Sequence, residues 1–164
     1  MSNKSNLIIL LNIVVLTLFV AFSIKDKENT LENGQLILLR LAPVDPRSLM
    51  QGDYMVLNYE VSDAVPNNIP NKGYLIFTKD SLENFTPNKW SKEPSKKSDQ
   101  TISLKYQLLD TWGTKTVKLG AESYFFEEGQ AEKFEAAKFG GLKVDAKGNS
   151  ILIGLYDENK QLIK

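Results

Sequence analysis

Four side chains capable of chemistry stand within one ten-residue stretch: Asp45, Arg47, Asp53 and Tyr54. Two carboxylates, a guanidinium and a phenol on one rim of a sheet could move protons or hold an ion. Arginine stands out here, because every other basic residue in this chain is lysine except Arg40 and Arg47, which flank the segment. A guanidinium makes bidentate contacts to carboxylate or phosphate that an ammonium cannot copy. The same residues also have a purely structural use. Gly52 supplies a positive φ, Asp53 can bond nearby backbone amides at the start of a strand, and Arg47 can pair internally with an aspartate. A second acidic group, Glu122, Glu127 and Glu128, could join Asp53 as oxygen ligands for calcium or magnesium. Its spacing matches no ion-binding loop, and acidic residues at a helix start are favoured by the helix dipole anyway, so neither a metal nor a cofactor is assigned. Tyr124-Phe125-Phe126 reads as sheet core and edge rather than as a platform for a sugar ring.

The missing residue types narrow the chemistry further. The chain has no cysteine and no histidine, which removes thiolate nucleophiles, cysteine zinc sites, the Ser-His-Asp triad and the usual neutral-pH proton shuttle. Any catalyst would have to work with carboxylates, lysine, tyrosine or serine. Twenty basic and twenty acidic residues balance, without a basic block long enough to follow a phosphate backbone, which argues against nucleic acid. The nearest approach to one, Lys92 with Lys96-Lys97, falls in a polar loop. The preferred function class is a non-enzymatic binding or accessory domain, and the alternative is an envelope hydrolase or transferase built on Asp and Glu.

From Leu7 to Ile24 the sequence LIILLNIVVLTLFVAFSI carries no charge and is interrupted only by Asn12, Thr17 and Ser23. At about 1.5 Å per residue such a run matches the roughly 30 Å of bilayer hydrocarbon. It exceeds the apolar core of an ordinary cleaved signal peptide, so an uncleaved single-pass anchor in the bilayer is expected. The flanking lysines, Lys4 before and Lys25 and Lys27 after, are nearly tied for orientation. Export of the larger part leaves the short tail in the cytoplasm and the domain outside. Residues 1–24 are then tail and anchor, 25–34 (KDKENTLENG) a charged tether ending in a turn, and 35–164 one globular domain.

That domain is expected to be mainly β, an antiparallel sheet or small barrel with one short helix. Strands are predicted at 35–42, 54–61, 73–79, 101–109, 115–119 and 122–126, with one helical turn at 45–52 opened by Asp45-Pro46. In 54–61 the alternation puts Met55, Leu57, Tyr59 and Val61 on the apolar face. The polar, proline-broken stretch around Phe85 and Trp90 reads as loop. A helix is predicted between Glu128 and Phe139, stopped by Gly140-Gly141, and a final hairpin joins 141–146 to 150–157 across Lys147-Gly148-Asn149.

Gly52-Asp53-Tyr54-Met55-Val56-Leu57-Asn58-Tyr59 is a complete match to GDYxxLxY, the box of the GDYXXLXY family of membrane-anchored bacterial proteins, and the chain resembles that family from its anchor onward. The segment from Gly120 through Glu122, Tyr124, Phe125 and Glu128 to Gly129 is similar to a second box of that family, G-x-E-x-[FY]-F-x-P-E-G, with Glu127 in place of the proline. The resemblance implies a protein of the bacterial inner membrane with an outward-facing domain, no established activity, and a multi-pass membrane protein as partner. Leu49 to Asp53 also resembles the L-x-x-G-D end of a box in signal peptidases. The position of their nucleophilic serine is Val44 here, and valine cannot attack a carbonyl.

Overall fold

The structure is a computed structural model that describes residues 3–42, 54–63, 65–80, 84–96, 98–111, 114–127 and 129–164. The predicted turn at 45–52 lies outside the described residues.

A single helix, α1 (Asn3–Asn33), opens the chain. It is long and apolar enough to cross a membrane, and none of its most apolar stretch is covered by the rest of the molecule. It does not stop at Ile24: the predicted tether is helical through Asn33. Leucine, lysine and glutamate favour helix, and nothing breaks it before Gly34, whose N–H still bonds the Thr30 carbonyl at 3.0 Å.

Antiparallel sheets follow, including a curled half-barrel. β1 (Gln35–Arg40), β8 (Phe139–Val144) and β9 (Ser150–Tyr156) form one sheet in the order β1-β8-β9. β3 (Lys72–Lys79), β4 (Phe85–Ser91), β5 (Thr101–Thr111) and β6 (Thr114–Lys118) form another, ordered β4-β3-β5-β6. β2 (Tyr54–Val56) and β7 (Ser123–Phe125) pair as a separate ribbon. α2 (Glu60–Asp63) and α3 (Ala131–Phe134) are single turns. One core joins the sheets: Ile37, Leu75, Phe77, Leu104, Leu142 and Leu155 are almost fully buried, and Lys105 N–H meets the Gly148 carbonyl at 2.9 Å where two sheets touch.

Three further expectations change. The stretch around Phe85 and Trp90 is a strand, β4, at the edge of its sheet. Pro87 is tolerated there because an edge strand has one side free of ladder bonds, and Trp90 packs edge-on against Tyr106 with ring centroids 4.9 Å apart. The helix predicted between Glu128 and Phe139 shrinks to the four residues of α3. Gly140-Gly141, expected to stop that helix, lie inside β8. The strand predicted over 54–61 ends at Val56, yet its alternation persists, with Met55, Leu57 and Tyr59 buried before α2 turns the chain.

Candidate functional site

The two boxes read from the sequence meet in space. In the ribbon Tyr54 faces Phe125, Met55 faces Tyr124 and Val56 faces Ser123. Beyond the ribbon, Leu57 N–H bonds the Glu122 carbonyl at 2.8 Å. Tyr59 then enters the core completely, and its hydroxyl donates to the Ala121 carbonyl at 2.6 Å. Burial, with a smaller contribution from the nearby Glu122 charge, pushes the Tyr59 phenol far above the ordinary tyrosine range. This phenol is therefore a fixed neutral donor and not a proton carrier.

Room for the Tyr59 ring comes from Gly140 in β8. A Cβ at that position would lie 2.9 Å from a ring carbon and 3.0 Å from the hydroxyl. Ala121 and Gly140 are thus partners of the first box that sequence reading missed. Gly140 carried a glycine signal that was spent on a helix stop.

Glu122 turns its carboxylate back on its own loop, accepting from the N–H of Leu119 and from that of Gly120, the latter at 3.1 Å. This carboxylate is engaged in shaping the turn that presents the Tyr59 acceptor. Tyr124 packs edge-on against Phe134 at 5.1 Å, and Phe134 also meets Phe126 at 5.5 Å, which secures the inward side of β7 to α3. The second box ends in a turn with Glu127 where the resemblance leads one to expect proline. Gln130 N–H reaches the Glu127 carbonyl at 3.1 Å, and Gly129 takes φ of 81°, a value that suits glycine.

The outward side of the ribbon is different. Phe125 is 72% exposed and Val56 49%, while the Tyr54 ring lies tilted against Phe125 at 5.7 Å. A cleft of about 540 Å³ runs alongside, with Lys27 and Leu31 of α1 on one wall and Gly120, Ala121, Glu122, Ser123 and Ser150 on the other. The second box therefore sits beside the end of the apolar helix.

Of the residues singled out from sequence, Tyr54, Leu57, Tyr59, Glu122, Tyr124, Phe125 and Gly129 come together here. Asp45, Arg47, Gly52, Asp53 and Glu128 lie outside the described residues. Arg40, one of the two arginines, bonds Glu60 through its Nε at 3.1 Å on the surface. Among the described residues no three Asp and Glu side chains are grouped so as to hold a metal ion.

A family model described as GDYXXLXY protein matches residues 16–155, from inside α1 to the penultimate residue of β9. No curated protein and no solved structure matches the chain. The match spans both boxes and most of the sequence, and the chain belongs to the GDYXXLXY family.

Proposed function

We propose that this protein is a non-enzymatic accessory domain, held at the bacterial inner membrane by α1 with its C-terminal part outside, and that it binds a multi-pass membrane protein or an envelope component through the outward face of the β2–β7 ribbon. The observation that carries this reading is the exposed pair Val56 and Phe125, with the half-buried Tyr54 ring against Phe125, on a ribbon whose other face is locked into the core. Exposed aromatics on a rigid support suit the centre of an interface, since ordering them costs little entropy. Asp45, Arg47 and Asp53 stand one to nine positions before β2 in the chain, and their charges suit a partner with polar groups beside its apolar contact. The cleft between α1 and the second box supports this reading, because it sets the ribbon beside the end of the helix read as the anchor.

The test is recovery of partners from detergent extracts of membranes holding the full-length protein, followed by mass spectrometry. The wild type is expected to bring down a multi-pass protein or an envelope component, and Val56→Ser with Phe125→Ser to lose most of it while melting as the wild type does. Failure of the wild type to recover any such partner overturns the proposal.

A further inference from the structure

The helix that precedes the domain is not loosely attached to it. Thr30 is buried, with its hydroxyl 3.0 Å from the Asp26 carbonyl and 3.4 Å from the Asp145 carboxylate of the β8–β9 turn. Lys147 of that turn lies 3.6 Å from Asp26, and the Lys143 ammonium donates to the Gly34 carbonyl at 3.0 Å. One side of α1 is thus held against the domain, and the orientation of the whole helix is set by it.

Eighteen residues are five turns of an α-helix, so Asn12 lies on the same side of α1 as Thr30. Leu16, Phe19 and Ser23 fall between them at alternating spacings of four and three, the pattern of a helix-packing seam. Asn12 sits about 5 Å from the middle of the uncharged run. One of its amide hydrogens goes to the Ile8 carbonyl at 2.9 Å. Its second N–H and its oxygen have no partner among the described residues. Thr17, the other polar residue deep in the run, spends its one hydroxyl hydrogen on the Ile13 carbonyl at 2.8 Å and is content in lipid. An amide with spare donor and acceptor in hydrocarbon favours a neighbouring helix that can bond it.

We infer that the Asn12, Leu16, Phe19 and Ser23 face of α1 packs against a transmembrane helix of another protein, one that offers a hydrogen-bonding side chain at the depth of Asn12 and ends at the membrane surface below the domain. A second copy of this chain is the wrong occupant. Copies insert in the same direction, so a helix on this face would continue upward into the space that the β8–β9 turn already fills beside Asp26 and Thr30. The inference rests on α1 being a retained anchor, as proposed above.

The experiment places a benzophenone amino acid at Leu16, or at Leu18 on the opposite side, in the full-length chain, and irradiates native membranes. Position 16 is expected to give one discrete adduct, mapped by mass spectrometry to an apolar segment of a different protein, and position 18 is not. Asn12→Leu should lower the adduct about three- to tenfold, the range for one interhelical amide bond, and Asn12→Gln should restore it. An adduct at twice the chain's 18.5 kDa overturns the inference in favour of self-association. So does equal labelling from both sides, or lipid adducts alone. The mass of the membrane-extracted chain separates this from failure of the anchor itself, because loss of the first two dozen residues would sink both together.

Discussion

The two faces of the β2–β7 ribbon are built from alternate residues of the same short boxes and are used in opposite ways. On the inward face Met55, Leu57 and Tyr59 are buried, and Tyr59 closes the fold by reaching the Ala121 carbonyl. On the outward face Val56 and Phe125 keep an apolar surface in the open, with Tyr54 half-buried beside Phe125. A motif therefore need not be a site in all its letters. In GDYxxLxY the leucine and the second tyrosine hold the two boxes together, and the side that the core does not take stays uncovered.

The largest test of this contrast is Tyr59→Ala, which empties a fully buried ring position and should cost about 3–5 kcal/mol, read by thermal or denaturant unfolding. Tyr59→Phe keeps the ring but strands the Ala121 carbonyl, at about 1–3 kcal/mol. If Tyr59→Phe proves neutral, the hydrogen bond is not what joins the boxes. Gly140→Val presses two methyl groups toward the Tyr59 ring and should destabilise by about 1–3 kcal/mol through overpacking.

A smaller effect is expected where α1 meets the β8–β9 turn. Burial alone would raise the Asp145 pKa, but bonds from the Asn149 side chain and backbone, the Lys147 backbone and Thr30 outweigh it and hold the carboxyl below its ordinary value. The stability it contributes is therefore complete above the pKa of an unfolded aspartate, about 3.9, and is lost as pH falls through the lower folded value. Protection of the Thr30 and Gly148 amides, taken relative to the intrinsic exchange rate at each pH, should fall across that acid window in the wild type. In Asp145→Asn exchange there should already be faster at neutral pH, with no acid step. A step that survives the substitution would assign it to another group.

Smallest of all should be Phe125→Ser, a change on the open face expected to shift stability by no more than about 0.5 kcal/mol. A loss of several kcal/mol would mean that the outward face belongs to the core after all, and the contrast between the two faces would fail.

Much of this was legible in the residues. The alternation of 54–61 correctly assigned Met55, Leu57 and Tyr59 to the buried face, although the strand itself stops at Val56, because side-chain polarity records which face is buried and not where ladder bonds end. The β8–β9 hairpin was readable from Lys147-Gly148-Asn149. Its hydrogen-bonded centre, Asp145, was not, since an aspartate that accepts from Lys147 and Asn149 in its own loop looks in sequence like any solvated acid. β4 is not legible in the sequence, since Pro87, Asn88 and Lys89 argue locally against a strand and only pairing with β3 overrides them.

Sequence alone determined the apolar helix, the antiparallel β class and the two boxes with their spacing, because each is written in local periodicity and composition. Only the tertiary structure decided that the end of α1 docks against the β8–β9 turn, that Gly140 yields space to Tyr59, and that the two boxes touch. Those facts depend on contacts between residues tens of positions apart, whose energies appear only once loop closure has brought them together.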